Sequence, residues 1–207
     1  MGNCNGSEPD RARTGSSLNV RGGNGNGKGG LKNKISECKV VILGDPAVGK
    51  TSITMRYAKN EFKDTYTNTI GAQFQQPKIT LRNGNTLKVN LWDTAGEEKF
   101  RSMLSMYYKE AKGVLIAYDI GSKETFANIE KWLQTLNDHI KKEEAVLCLV
   151  GNKKDLPASE KEVDTNTAKK FAESHGMLFA EVSAKTGDGV EEVFKNLAEE
   201  LAKKFKY

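Results

Sequence analysis

The stretch GDPAVGKT, Gly44 to Thr51, constrains this chain more than any other part of it. It follows the short apolar run CKVVIL and leads straight into TSITMRYAK, which has a helical pattern. A strand, a glycine-bearing turn and a helix in that order aim backbone N–H groups and a helix N-terminus at one point, which suits a phosphate. The spacing fits G-x-x-x-x-G-K-[ST], in which the lysine (Lys50) reaches the β and γ oxygens and the hydroxyl (Thr51) binds Mg²⁺. Asp45, Ala47, Val48, Gly49, Lys50, Thr51 and Ser52 are the residues expected around the phosphates. Pro46 has no N–H to donate, so the loop must rely on its neighbours.

The rest of the chain repeats the strand-then-helix theme. KITLRNGNTLKVNLWD shows two alternating runs about Asn83-Gly84, a hairpin signal. GVLIAYDI and AVLCLVG are apolar enough to be buried on both faces. Between them ETFANIEKWLQTLNDHI places Phe126, Ile129, Leu133 and Leu136 at helical spacing. TNTAKKFAESHG reads as a helix ending at Gly176, MLFAEVSA as a strand, and VEEVFKNLAEELAKKF as a final helix. The expected fold is α/β: a six-stranded, mostly parallel sheet with one antiparallel edge strand and helices on both faces. Ligands of such sheets bind at the carboxyl ends of the strands, which is where the phosphate motif falls.

GNKKDL, Gly151 to Leu156, follows another strand and speaks to the base. The Asp155 carboxylate can accept from the N1–H and 2-amino edge of guanine, an edge adenine does not present. Asn152 can bond the opposite side of the base, and the stem of Lys153 can lie across its face. EVSAK, Glu181 to Lys185, follows the last strand, so Ser183, Ala184 and Lys185 line the same site and the Ala184 N–H is placed to meet the guanine oxygen. An adenylate-type kinase is the rival for such a phosphate loop. Asp155 and the absence of an arginine-rich lid weigh against it.

With these motifs in order over about residues 37–205, the chain resembles a small GTPase of the Ras superfamily, and within it a Rab. The resemblance implies a P-loop NTPase fold and a GTP/GDP-operated switch with Mg²⁺ as cofactor. Phe62 falls where the family stacks an aromatic on guanine. Thr69, in TNTIGAQF, matches the switch threonine that binds Mg²⁺ and senses the γ-phosphate. Asp93 matches the aspartate that holds Mg²⁺ through water, and Gly96 the glycine that bonds the γ-phosphate. Phe74, Trp92 and Tyr107 match the aromatic triad that effectors read. The implied partners are an exchange factor, a GTPase-activating protein and effectors, acting on a monomer.

The main departure is in DTAGEEKF, Asp93 to Phe100. The family carries glutamine after that glycine to orient the attacking water; here the residue is Glu97. With Lys50 and Gly96 it completes the expected catalytic set. An ionised carboxylate accepts from water but cannot donate to the transferring phosphoryl. At about 4 Å and an effective dielectric near 20 it also repels a unit negative charge by about 4 kcal/mol. Most of that acts on ground and transition states alike, and a residue of one or two kcal/mol slows hydrolysis by roughly ten- to thirtyfold. Two readings stay open: a slow GTPase in vesicle and endosomal traffic, or a GTP-loaded interaction scaffold with negligible hydrolysis. Glu98 is expected to form a salt bridge in the switch.

Net charge is +5, and residues 1–36 carry six Lys/Arg against two acids, so the remainder is close to neutral. That balance argues against nucleic acid as a partner. Residues 1–36, rich in Gly, Asn and Ser, are expected to form a flexible arm before a GTPase domain at 37–207. Cys38 and Cys148 lie in apolar runs and suit a reducing, cytoplasmic setting. The chain has no cysteine after Cys148, so a prenyl anchor at its end is not expected. MGNCNGS offers another anchor: myristate on Gly2 with palmitate on Cys4, two chains holding a membrane where one holds only marginally. Gly6 stands where the myristoylation template has Ser or Thr. The layout resembles Rabs of plants and protists that are anchored by an acylated N-terminus on the cytosolic face of endosomes.

Overall fold

The computed structural model describes residues 33–64, 69, 71–95 and 107–207. Asn33–Tyr207 forms one unit. Among its described residues seven strands carry it: β1 Ile35–Leu43, β2 Ala72–Gln75, β3 Lys78–Thr80, β4 Thr86–Thr94, β5 Gly113–Asp119, β6 Val146–Asn152 and β7 Leu178–Glu181. The helices are α1 Lys50–Lys59, α2 Lys123–Ala127, α3 Ile129–Asn137, α4 Thr165–Ser174 and α5 Val190–Phe205. The lateral order is β2-β4-β1-β5-β6-β7, with β3 also paired to β4. The sheet is thus six strands wide, and only β2 and β3 run antiparallel to their neighbour. They are two pieces of one edge strand. Pro77 has no N–H to give the ladder at the break, although its carbonyl still accepts from Val89 at 2.9 Å.

β1 starts at Ile35, two residues before the boundary read from composition, because β4 reaches that far. Ile35 pairs with Thr86, the Lys34 N–H donates to Asn85 Oδ1 at 3.1 Å, and the Thr86 N–H returns to the Lys34 carbonyl at 2.9 Å. The expected hairpin forms between β3 and β4. Gly84 occupies φ +83° in its turn, a conformation that glycine adopts without a Cβ penalty.

Side chains alternate along β1, as the period of a strand requires. Val40 and Ile42 enter a core with Ile53 of α1 and Phe194, Leu197 and Leu201 of α5. Val41 and Leu43 enter the opposite core with Trp132, Leu133 and Leu136 of α3 and Ala168 and Ala172 of α4. Helices therefore cover both faces. The helix expected across residues 124–140 is divided at Asn128, whose side-chain amide is drawn to the phosphate loop. Among the described residues no helix is long and apolar enough to cross a membrane.

Candidate nucleotide site

The loop between β1 and α1 is built to leave N–H groups available. Gly49 caps α1 at φ +93° with no side-chain cap bond, so the first N–H groups of the helix lack a side-chain partner. A Cβ on Gly49 would lie 2.3 Å from Asn152 Nδ2, and one on Gly44 would lie 2.2 Å from the Ala117 carbonyl oxygen, so both positions require glycine. Val48 is buried, and Ser52 is half-buried in the first turn of α1. Ala47 is left-handed at φ +61°.

Lys50 is 6% exposed, and its ammonium donates to the carbonyls of Gly44 at 2.9 Å and Asp45 at 2.8 Å. Burial lowers its pKa to about 8, against the opposing pull of Asp93 and Asp45. The cation is held in the mouth of the loop, where a phosphate would compete for it. The side chain of Asp45 takes another course: Oδ1 accepts the Trp132 indole N–H and Oδ2 the Asn128 amide.

Three oxygen ligands expected for a metal meet beside this loop. The Thr51 hydroxyl donates to Asp93 Oδ2 at 2.6 Å and lies 2.8 Å from the Thr69 hydroxyl. Asp93 is fully buried, and its Oδ1 has no hydrogen-bond partner. Burial raises its carboxyl to about pKa 6, while the Thr51 bond and Lys50 pull the other way. One orphaned carboxylate oxygen and two hydroxyls fit Mg²⁺, which prefers hard oxygen ligands and keeps several of its own waters. Thr51, Thr69 and Asp93 would hold it, and the ion would neutralise charge on the phosphate oxygens.

The residues expected around the base lie on the next two loops, after β6 and β7. Ser183 donates to Asp155 Oδ1 at 2.6 Å, and Asp155 is exposed. Asn152 is 2% exposed and acts as a strut. Its Nδ2 donates to the Val48 carbonyl at 2.8 Å, and its Oδ1 accepts the Ala184 N–H at 3.1 Å. It joins the phosphate loop to the SAK loop, and the Ala184 N–H expected at the guanine oxygen is engaged by it. Lys153 is left-handed at φ +70°, with its ammonium 2.5 Å from Asp119 Oδ2. Phe62 packs half-buried against the core, under the guanidinium of Arg56. Lys185 is exposed.

A model of the Ras family matches residues 39–203. The chain belongs to that family. Its Rab character is shown by its relatives. "Ras-related protein RABA3" of Arabidopsis thaliana is 44% identical over 163 residues, 79% of this chain and 68% of the relative. "Ras-related protein Rab-1D" of Dictyostelium discoideum is 41% identical over 163 residues, 79% of this chain and 78% of the relative.

In this Rab-like GTPase Phe74, Trp92 and Tyr107 lie side by side. The Phe74 and Trp92 rings are 5.1 Å apart, and Trp92 and Tyr107 are 5.5 Å apart. Phe74 is 47% exposed, and the other two are half-buried. Cys38 and Cys148 are free and buried, with burial pushing both thiols up to about pKa 12. Gly2, Cys4, Gly96, Glu97 and Glu98 lie outside the described residues. The sequence reading missed Arg56, Asn128 and Trp132. Their bonds join residues far apart in the chain, and the only local signal was a basic residue in the last turn of α1.

Proposed function

We propose that this chain is a GTP/GDP-operated switch of vesicle and endosomal traffic that hydrolyses GTP slowly unaided. The supporting observation is the meeting of Thr51, Thr69 and Asp93 at the mouth of the loop that holds Lys50. In this reading Lys50 transfers its hydrogen bonds from the Gly44 and Asp45 carbonyls to phosphate. The free N–H groups of α1 bind the same anion. Asp155 selects guanine through its carboxylate. Thr69 reports the γ-phosphate: with the hydroxyl held beside Thr51, the effector-facing loop is ordered, and hydrolysis removes what holds it.

The chemical step falls to Glu97. It can accept a proton from the attacking water but repels the developing charge, so the chain depends on an activating protein to supply an arginine. Single-turnover hydrolysis of the full chain is expected to rise roughly ten- to thirtyfold in Glu97→Gln. Equal rates would reject this account of Glu97. Glu97 also supports a second reading, a GTP-loaded scaffold. Phosphate release that stays absent with an activating protein present would favour it.

Membrane attachment is proposed through Gly2 and Cys4, on the cytosolic face of endosomes or other vesicles, for an otherwise monomeric protein. Gly2→Ala is expected to leave the protein diffuse in cells. Mass spectrometry finding an unmodified Gly2 on native protein would reject the anchor.

A further inference from the structure

Arg56, in the last turn of α1, ties together both sides of the base site. Its Nε donates to the Ala184 carbonyl at 2.9 Å and its Nη2 to the Lys185 carbonyl at 2.7 Å. Nη1 donates to Asn60, to the carbonyl at 3.1 Å and to Oδ1 at 3.0 Å. The guanidinium carbon lies 6.0 Å from the centre of the Phe62 ring. On one side is the loop carrying Ser183, Ala184 and Lys185. On the other is the segment that leaves α1 at the left-handed Asn60, φ +54°, and brings Phe62 against the core.

We propose that Arg56 is a positioning residue for the guanine base, holding the Ser183–Lys185 loop and the Asn60–Phe62 segment at a fixed separation. The proposal rests on the nucleotide reading above. The peptide joining Ala184 to Lys185 is planar and trans. Fixing the Ala184 carbonyl on Arg56 therefore fixes the direction of the Lys185 N–H on the far side of the same plane. The bond to the Lys185 carbonyl fixes the following plane, whose Thr186 N–H donates to Ser183 Oγ at 3.0 Å; that hydroxyl in turn donates to Asp155. One side chain thus sets the orientation of successive groups around the base.

Arginine suits this work better than lysine. Its flat fork reaches two consecutive carbonyls and Asn60 at once while lying over an aromatic ring, whereas an ammonium is a single point of charge. The placement also matters. Lys50 and Arg56 are on one helix, about 9 Å apart along its axis. A single rigid element therefore carries the phosphate contact at its first turn and the base-site clamp at its last.

The test measures dissociation of ribose-labelled nucleotide from the full chain, from Arg56→Ala and from Arg56→Lys. Each is loaded with GDP or with 2-aminopurine riboside diphosphate, which lacks the 6-oxygen. Arg56→Ala should release GDP at least about tenfold faster, the scale of losing hydrogen bonds from a charged donor, with Arg56→Lys intermediate. The ratio of the two nucleotides' off-rates should also narrow in Arg56→Ala. A general loosening speeds both nucleotides equally and leaves that ratio alone. An off-rate within about twofold of the parent, or an unchanged ratio, overturns the role given to Arg56. Should Arg56→Ala fail to fold, Arg56→Lys decides, with an expected rise of about threefold. A parent chain that does not retain GDP overturns the nucleotide reading itself, and the positioning role with it.

Discussion

The indole N–H of Trp132 donates to Asp45 Oδ1 at 2.8 Å, and the Asn128 amide donates to the other oxygen at 2.7 Å. An acidic side chain in a phosphate loop is a liability, because its charge opposes the anion. Here both oxygens are bound by α3 and the residue before it, so the carboxylate serves as the peg that fixes the loop to the helix. Trp132→Phe keeps the ring packing and removes one donor. It should cost about 1.5–3 kcal/mol of stability, the value of a hydrogen bond to a charged group, read from the denaturant midpoint. The GDP off-rate should rise in parallel. A midpoint equal to the parent's would show that the peg carries no load.

In the function proposed above, Asp155 is the group that distinguishes guanine from adenine. In Asp155→Asn the amide presents a donor where an acceptor is needed, and the bond from Ser183 is weakened as well. GTP affinity should fall about a hundredfold, two charge-assisted bonds being at stake. ATP affinity should hardly change. Competition of the two nucleotides for the same labelled ligand measures both, and a retained preference for GTP would contradict the assignment.

Asp93 gives the metal-free protein a pH dependence of definite sign. Its folded pKa of about 6 lies above the ordinary 3.8, chiefly because the carboxyl is buried. Between those values the folded state binds the extra proton, so this group's contribution to stability falls as pH rises through the window. After nucleotide stripping in EDTA, the unfolding free energy should fall between about pH 4 and about pH 7, by at most about 3 kcal/mol. The drop should be much reduced in Asp93→Asn. Reloading with Mg²⁺ and GDP should remove it, since cations then face the ionised carboxylate.

Ala47 holds φ +61° in the phosphate loop, a region costing an L-residue about 1–2 kcal/mol. Ala47→Gly relieves that strain but gives the unfolded chain more freedom, worth about 0.4–1 kcal/mol in the other direction. The net change should be a gain of about 0–1.6 kcal/mol in urea unfolding. A loss larger than that would show that the Ala47 methyl makes contacts outweighing the backbone strain.

Motifs fixed by local chain geometry were the most legible. Gly44-to-Thr51 announced a strand, a turn and a helix, and Lys50, Thr51 and Asp93 meet there because strands of a parallel sheet end on one side. Three kinds of feature were not readable. The edge strand divides at Pro77, which removes a ladder donor, yet the register with β4 is kept on both sides of the break, which the sequence pattern does not reveal. The helix through Asn128 is divided where a side chain is committed to Asp45, 83 residues away. Asn152, expected at the base, also spans two loops, because a buried amide takes the nearest backbone partners. Each outcome depends on which loops the fold brings together, and hydrophobic period carries no record of that.

The interruption at Pro77 has a consequence for how the protein behaves among its own copies. The outermost margin of the sheet is only four residues in β2, then a break, then three in β3. Such fragments offer too few consecutive backbone groups for a neighbouring chain to extend the ladder. The domain can therefore leave the Phe74 ring exposed at its rim without making that rim a seed for fibrous self-association.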